Sequence, residues 1–426
     1  MITGLRLGGF KNFDDERLDM GPFTVVVGTN ASGKSNIRDA FRFLHGIGRG
    51  YTLAEIIGGK YGAGGQVEWA QMRGAAKEII RFGETSFLLQ VFFRIPDGNG
   101  HYFLIVQTSN KQRGGFRVID EVLELSGKTI YSSYPGDDDP ISSQDDDTQL
   151  LLRLGKVANQ RRYGHRINTR PDQPALSQIR DSKQVAPHHK EIAEKLMETL
   201  ASMRFLDLVP EKMRQPAFPG QTVLGDGGEN LPAVLQEICA DPARKAILAD
   251  WVRELTPMDV EDFEFPHDPI TGLVQLVIRE TGNKRVSAYS ASDGTLRFLA
   301  MLAALLGTNP AQLYFFEEID NGMHPTRLRL LLDLIEGRTA KGDIQVVSTT
   351  HSPDLLAMVG DETFKHTSVV FRRPDTADAI IRRVNTLPNA EQLRQSQGLG
   401  RLHASGWMED TLTFMENKTS DDGGTE

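Results

Sequence analysis

The chain has 426 residues, of which 39% are hydrophobic and 25% are charged, a composition that can form a sizeable globular core. Its formal net charge of −9 gives no global signal for nucleic-acid binding, although it does not exclude a local basic patch. The single cysteine, Cys239, excludes an internal disulfide and a cysteine-rich metal site. The sequence has neither a signal-peptide pattern at its start nor a run of 18 apolar residues, which predicts a cytoplasmic protein without a membrane partner.

A strand, a glycine-rich loop and a helix follow one another near the start of the chain. Residues 24–27 are apolar and follow Gly21 and Pro22, a pattern that predicts a short buried strand. Residues 28–35 read GTNASGKS and fit the phosphate-binding pattern G-x-x-x-x-G-K-[ST]. Apolar residues then recur at helical spacing through 36–44. This order of elements is the context in which such a loop binds phosphate.

The residue types of the loop indicate its chemistry. Glycines let the backbone come close to phosphates, and successive N–H groups at a helix N-terminus bind anionic oxygens. Lys34 is expected to reach the β- and γ-phosphates of a nucleotide, and the Ser35 hydroxyl to bind Mg²⁺. The competing interpretation is a chance match at a glycine-rich helix cap, which the flanking strand and helix disfavour.

An insertion of strands and then helices is predicted after this helix. The glycine-rich stretch 46–65 is expected to be loop, and turn signals stand at 97–100 and 126–127. Apolar runs around these turns predict an antiparallel meander with strands over 79–82, 86–95, 101–108, 116–125 and 128–131. Helical periodicity returns over 189–255.

Two charged segments interrupt the insertion. Residues 135–147 contain six aspartates and predict a solvated acidic loop rather than a cation site. Residues 159–170 are basic, and they are interpreted either as a solvated surface or as a contact for phosphate or nucleic acid.

An apolar strand over 313–316 ends in Glu317 and Glu318. A P-loop NTPase places its magnesium-side carboxylate at such a position, and the next acid is then placed to polarise the attacking water. The competing interpretation is a strand that ends in solvated acids.

Two further motifs flank this strand in the sequence. Residues 290–297 read SASDGTLR, so that Ser292 and Gly294 would offer a second anion-binding surface at a helix start; an ordinary N-cap is the alternative. His351 follows a predicted strand over 344–348 and could hydrogen-bond a γ-phosphate, although a loop histidine without a catalytic role would look the same.

Taken in order, these motifs resemble a known group of proteins. The series G-x-N-x-S-G-K-S, S-x-G-x-x-R, apolar strand with Glu-Glu, D-x-x-x-H-P and T-H-S-P looks like that of the ABC-type ATPase heads. Within them the chain resembles the RecF/SMC-like and OLD-like predicted ATPases, which often serve bacterial anti-phage defence, and its GFKNF segment at 9–13 is similar to their start. The resemblance covers residues 1–45 and 285–355. It implies an α/β P-loop NTPase fold, an ABC-type ATPase head with an antiparallel β meander and a helical insertion.

The resemblance implies a role for each motif. ATP would be bound by Gly28, Asn30, Ala31, Ser32, Gly33, Lys34, Ser35 and Asn36, and by Ser292 and Gly294 of a second subunit. Glu318 would be the catalytic base, His351 the switch histidine, and residues 320–325 a loop crossing the dimer interface. Mg²⁺ would be held by Ser35 and by Glu317, which stands where the group usually has Asp, and Gln178 is preferred over Gln90 and Gln184 as the magnesium-coupling glutamine.

The predicted domains are an ATPase core over 1–95 and 275–385, an inserted β-meander and helical subdomain over 96–274, and a C-terminal helical cap with a disordered tail over 386–426. Fewer than about eighty residues follow His351, which is short for a typical additional domain. The preferred function is an ATPase that forms a homodimer or higher oligomer around ATP and switches a separate effector, a nuclease or toxin, in anti-phage defence. The alternatives are a DNA-binding repair or chromosome-maintenance ATPase, in which the basic run from 161 to 170 would contact nucleic acid, and a non-hydrolysing nucleotide-gated scaffold.

Overall fold

A computed structural model describes residues 1–74, 76–109, 115–133, 148–155, 166–255, 260–373, 376 and 378–422. The predicted acidic loop over 135–147 and the basic residues 159–165 lie outside this description. None of the helices in the described ranges has the length and apolarity needed to cross a membrane.

The secondary structure alternates between strands and helices. The strands are β1 (Ile2–Phe10), β2 (Phe13–Asp19), β3 (Phe23–Val27), β4 (Lys60–Tyr61), β5 (Val67–Trp69), β6 (Ser86–Ile95), β7 (Gly98–Thr108), β8 (Phe116–Leu125), β9 (Lys128–Ser132), β10 (Leu150–Leu154), β11 (Arg166–Thr169), β12 (Arg204–Leu206), β13 (Val260–Glu264), β14 (Val277–Glu280), β15 (Lys284–Ser287), β16 (Leu313–Phe316), β17 (Gln345–Thr350), β18 (Thr367–Arg372) and β19 (Ala379–Arg383). The helices are α1 (Lys34–Gly48), α2 (Leu53–Gly58), α3 (Ala175–Ile179), α4 (Pro187–Ala201), α5 (Pro210–Met213), α6 (Leu231–Cys239), α7 (Pro242–Leu255), α8 (Asp293–Leu306), α9 (Pro325–Thr339), α10 (Pro353–Met358), α11 (Asp361–Lys365), α12 (Ala390–Gln397), α13 (Leu399–Ala404) and α14 (Trp407–Asp422).

The first compact unit comprises residues 1–21, 28–203 and 368–383. Its strands follow the order β11-β10-β9-β8-β7-β6-β1-β2-β19-β18. The neighbours from β6 to β9 pair antiparallel, which confirms the predicted meander. Helix α1 is held on this sheet by aromatic packing, because Phe43 and Phe10 each meet Phe87 edge-on at a centroid distance of 5.3 Å.

The second compact unit comprises residues 22–27, 204–367 and 384–426. Its main sheet has the parallel order β3-β17-β16-β12, and a small antiparallel sheet has the order β13-β14-β15. Strand β3 is buried at every position, as expected for a parallel strand covered on both faces. The hydroxyl of Tyr314 donates to the carbonyl oxygen of Ala304 at 2.7 Å and thereby joins β16 to the apolar helix α8.

Three local predictions in the first unit are wrong. The stretch 46–65 is not all loop, because Thr52 and Glu55 form a reciprocal capping box that starts α2. The strand predicted over 79–82 is absent, because Ile79 ends a 3₁₀ turn (Ala76–Ile79) and Ile80 forms an isolated bridge with Phe10. The β6–β7 turn consists of Pro96 and Asp97, since Ile95 pairs directly with Gly98 and the following residues continue the strand.

The two compact units do not test the predicted division into core, insertion and C-terminal cap, which stays a prediction. Helix α14 ends at Asp422, within the segment expected to be a tail.

Candidate functional site

In the first unit, the lysine of the phosphate-binding loop donates hydrogen bonds to the backbone of the same loop. Lys34 is buried, and its ammonium donates to the carbonyl oxygens of Gly28 and Thr29 at 2.5 and 2.8 Å. Helix α1 starts at Lys34, and the amides of Asn36 and Ile37 bond the carbonyl oxygen of Gly33. The ammonium and the positive end of the helix dipole therefore lie together in this unit, an arrangement that favours an anion.

Two glycines of the loop are required by its geometry. A Cβ on Gly28 would lie 2.4 Å from the carbonyl oxygen of Val370 and 2.8 Å from the Ser32 hydroxyl. Gly33 has φ of +117°, which side-chain-bearing residues rarely adopt. Ala31 also has a positive φ, +63°. The backbone is thus bent as a close approach to phosphate oxygens requires.

The base of α1 is fixed by an ion-pair cluster that the sequence analysis did not predict. Asp39 is almost fully buried, and its carboxylate accepts from Lys11 Nζ at 2.5 Å and from Arg73 Nε at 3.1 Å. A second bond of Arg73, from Nη2, reaches the carbonyl oxygen of Ser35 at 2.8 Å. In addition, Asn36 donates to the side chain of Asn12 at 2.7 Å. Asp39 lies on the side of the helix opposite the predicted apolar positions 37, 40, 41 and 44, so helical periodicity carries no signal of its burial.

The parallel sheet of the second unit brings the ends of three strands to one edge. Val27 of β3 pairs with Thr350 of β17, and Ser348 pairs with Phe316 of β16. The next residues in the chain are Gly28 after β3, Glu317 after β16 and His351 after β17. The carboxyl edge of a parallel sheet is where ligands of α/β proteins bind.

At this edge Glu318 and His351 lie side by side. Glu318 Oε1 and His351 Nδ1 are 3.6 Å apart, and the side chains are 41% and 49% exposed. The backbone N–H of Glu318 donates to Thr349 Oγ1 at 3.1 Å, and its φ of +48° lies in the left-handed region. Such strain in a residue other than glycine clusters at functional sites. The structure thus joins the two predicted catalytic side chains of this unit.

The loop after Glu318 is tied to the same edge. Asp320 accepts a hydrogen bond from the Thr350 hydroxyl at 2.7 Å, immediately before His351. Gly322 of this loop closely approaches α8, since a Cβ on Gly294 would lie 2.6 Å from its carbonyl oxygen. Gly294 is therefore required by the packing of the SASDGTLR motif against residues 320–325.

Ser292 is the N-cap of α8. Its hydroxyl accepts from the backbone N–H of Thr295 at 3.2 Å, and the side chain is exposed. The alternative interpretation, an ordinary N-cap, is thus correct as a structural description, and an exposed capping hydroxyl can still meet a second ligand.

Gln178 has a structural role within the first unit. Its Oε1 accepts from the backbone N–H of Arg170 at 2.9 Å, and its Nε2 donates to the carbonyl oxygens of Arg170 and Gln173 at 2.9 and 2.7 Å. These bonds secure the chain before α3, so its predicted role in coupling magnesium stays a prediction. Gln90 lies within β6, paired with Arg6, and Gln184 is exposed.

The residues present fit a nucleotide and its cation. Ser32 Oγ is buried and has no hydrogen-bond partner within the described ranges, beside a glycine at which a Cβ would clash. A phosphate oxygen is an acceptor that such a hydroxyl can satisfy. Each unit also carries an oxygen donor of the kind that Mg²⁺ prefers, the hydroxyl of exposed Ser35 in the first unit and the carboxylate of half-buried Glu317 in the second. In the same described ranges, no three His, Cys, Asp or Glu side chains form a group that could hold a metal ion.

Head domains of SMC proteins are among the solved structures to which this chain is similar. The crystal structure of the SmcHead bound to the C-winged helix domain of ScpA has a TM-score of 0.48 at 14% identity, covering 90% of this chain and 98% of that chain. The SMC head domain from Thermotoga maritima has a TM-score of 0.42 at 13% identity, with the same coverage. Because both scores are below 0.5, the fold assignment rests on the strand order and on sequence comparison.

Sequence comparison gives the family. The protein-family model described as "AAA domain, putative AbiEii toxin, Type IV TA system" matches residues 23–232 and 243–357. These residues include both the phosphate-binding loop and the strand that ends at Glu317 and Glu318. The "ATP/GTP phosphatase" of Helicobacter pylori (strain ATCC 700392 / 26695) is 31% identical over 384 residues, covering 87% of this chain and 92% of that protein. The chain is an α/β P-loop NTPase and an ATPase, and it belongs to this AAA-domain family.

Proposed function

We propose that this ATPase is a switch: it dimerises around ATP in the manner of ABC-type heads, and the ATP-bound dimer controls a separate effector. The observation that carries the proposal is the open state of the catalytic edge. Glu318 and His351 are each more than two-fifths exposed, and Ser292 at the start of α8 is exposed as well. Hydrolysis in a water-excluded site requires that such residues be covered, and a second copy of the chain would cover them.

Each residue then has a defined task. Lys34 and the backbone N–H groups of residues 30–36 bind the phosphates, and the buried Ser32 hydroxyl donates a hydrogen bond to them. Ser35 and Glu317 would hold Mg²⁺, which would supply neutralising charge to the phosphates. Glu318 orients and polarises the attacking water, while His351 donates a hydrogen bond to the γ-phosphate.

The partner copy completes the site. Ser292 and the N–H groups at the start of its α8 would bind the γ-phosphate of the first copy, using the helix N-terminus as an anion site. ATP then binds the dimer more tightly than the separate chains, and its hydrolysis removes that difference. A ligand with differential affinity for two states is what a switch requires.

The effector is proposed to be a nuclease or toxin in anti-phage defence. Support comes from the description of the matched family, which names a toxin of a toxin–antitoxin system. Copurification of the chain with the product of the adjacent gene tests this step. We expect association to differ between Glu318→Gln, which retains ATP, and Lys34→Ala, which cannot bind it; equal association in both variants would contradict control by ATP.

Sedimentation of the Glu318→Gln variant tests the dimer. This variant should bind ATP and Mg²⁺ without turning them over, and should sediment as a dimer with ATP and as a monomer without it. The double variant Lys34→Ala with Glu318→Gln serves as the control that should remain monomeric. An ATP-saturated Glu318→Gln monomer at all concentrations would overturn the proposal.

A further inference from the structure

We infer that Arg214 is a positioning residue for the SASDGTLR motif and acts on the ATP of the partner copy. This inference rests on the proposed function, because it assumes that Ser292 and Gly294 meet a γ-phosphate bound by a second chain. Nothing in the sequence motifs singles out Arg214, which lies almost eighty residues before Ser292.

One nitrogen of Arg214 bonds both neighbours of Ser292, the backbone of Ala291 and the side chain of Asp293. Its Nη2 donates to the carbonyl oxygen of Ala291 at 3.2 Å and to Asp293 Oδ1 at 2.5 Å. The Arg214 side chain is 20% exposed, whereas that of Asp293 is 60% exposed. The guanidinium is therefore largely sheltered while the motif that it holds faces solvent.

Arg214 itself is anchored outside the motif. It is the C-cap of α5, and its backbone N–H bonds the carbonyl oxygens of Pro210 and Lys212. The preceding Met213 is fully buried, and α5 packs against α8. The position of the guanidinium is thus set by α5, which is anchored by buried Pro210 and Met213, so that the arginine connects this anchored turn to an exposed loop.

The restraints on the C-terminal side of Ser292 are its own cap on α8 and the packing of Gly294 against Gly322. Tyr289, Ser290 and Ser292 are exposed, and Ala291 is the buried residue between them. The amides of Ser290 and Ala291 bond the carbonyl oxygen of Ser287, which shapes the turn. Loss of Arg214 would remove the bonds to both neighbours of Ser292 and let this turn shift, and a misplacement of about 1 Å costs on the order of a hundredfold in rate.

A purely structural ion pair would behave differently. A pair whose acid is this exposed contributes little to stability, so Arg214→Ala should leave the melting temperature close to that of the wild type. We expect Arg214→Ala to lower kcat about tenfold to a hundredfold, with an unchanged Kd for ATP measured on isolated chains, since the phosphate-binding loop is intact. Arg214→Lys should recover part of kcat, because it keeps the charge without the planar fork.

The matched control is Arg329→Ala, which removes an exposed ion pair with Asp333 on α9 of the same unit. Its kcat should equal that of the wild type. Equal losses of kcat in Arg214→Ala and Arg329→Ala, or a Kd for ATP that rises as much as kcat falls, would overturn the inference.

Mixing variant chains separates this inference from the function on which it rests. In a mixed dimer of Lys34→Ala and Arg214→Ala, the Arg214→Ala chain binds ATP and faces the intact motif of the other chain. Because Lys34→Ala chains do not pair with one another, an excess of them should draw Arg214→Ala chains into mixed dimers and restore turnover per Arg214→Ala chain toward the wild-type value. Lys34→Ala mixed with Ser292→Arg is the reference pair and should recover equally. Recovery in the reference pair alone would overturn the role of Arg214 but keep the shared site, whereas recovery in neither pair would overturn the shared site and the inference together.

Discussion

The two compact units use their carboxylates in opposite ways. In the first unit Asp39 and Glu121 are buried, and each accepts several hydrogen bonds from fixed donors. At the sheet edge of the second unit Glu317 and Glu318 are half-buried, and Glu318 meets His351 at 3.6 Å. Buried acids with fixed donors hold structure, whereas partly exposed acids keep the capacity to bind water or cations.

This difference predicts that removing the two kinds of acid has separate consequences for stability and turnover. Removing a buried acid strands its donors and should lower the free energy of unfolding, while removing an exposed acid at the sheet edge should change turnover alone.

Glu318→Gln should lower ATP turnover by roughly 10²–10⁴-fold, because the amide cannot accept the proton of the attacking water. Its melting temperature should stay at the wild-type value, since the side chain is 41% exposed. Phosphate release and thermal melting measure the two effects, with Glu391→Gln on α12 as a control of equal charge change. A variant that loses stability and turnover together would break the comparison.

Asp39→Asn should lower the free energy of unfolding by about 3 kcal/mol, because the half-buried Lys11 would lose its buried, charged partner. Chemical denaturation measures this loss. The matched control is Asp15→Asn, whose ion pair with Arg6 is 55% and 41% exposed and contributes at most about 1 kcal/mol. Equal costs at the two positions would show that burial does not distinguish these pairs.

Glu121 should make stability depend on pH. Burial raises the pKa of its carboxyl to about 7, although hydrogen bonds from Tyr102, Tyr131 and the N–H groups of Ala175 and Leu176 oppose the shift. The folded chain then holds a proton that the unfolded chain releases above its ordinary pKa of 4.5. The free energy of unfolding should therefore fall as pH rises from about 4.5 to about 7, and level off above that interval.

Denaturant midpoints at about pH 5 and about pH 8, for the wild type and for Glu121→Gln, measure this slope. The variant should lose the Glu121 part of the pH dependence, whereas Glu84→Gln, an exposed acid of the same unit, should keep it. Parallel profiles for all three proteins would contradict the assignment.

Thr52→Ala should have the smallest effect, a loss of about 1 kcal/mol in the free energy of unfolding, because it removes the cap of α2. Chemical denaturation measures this loss. Thr52→Ser should recover the lost stability, since the serine hydroxyl can accept the same hydrogen bond. An unchanged stability in Thr52→Ala would mean that packing alone maintains α2.

The sequence predicted the elements whose signals are local. The strand, loop and helix from Phe23 to Gly48 and the meander follow from periodicity and turn residues, and the Glu317-Glu318 strand from its apolar run. Helix α2 was missed even though its capping residues Thr52 and Glu55 are visible in the sequence, because the surrounding glycines favoured a loop.

The contacts that fix the site were not predictable, because they join distant segments. The burial of the Asp39 carboxylate is explained by its two partners, Lys11 in the turn after β1 and Arg73 in a loop. They lie 28 and 34 residues away in the sequence. Arg214 reaches Asp293 across 79 residues. The bonds of Gln178 to the backbone of Arg170 and Gln173 likewise had no signal in the sequence, and its role in binding magnesium stays a prediction.

Turnover per chain as a function of protein concentration tests the central claim most directly. If Glu318 and His351 act only when a second copy supplies Ser292 and Gly294, turnover per chain should fall as the protein is diluted through its dissociation to monomers, and should level off at high concentration. Turnover per chain that stays constant throughout that dilution would contradict the account.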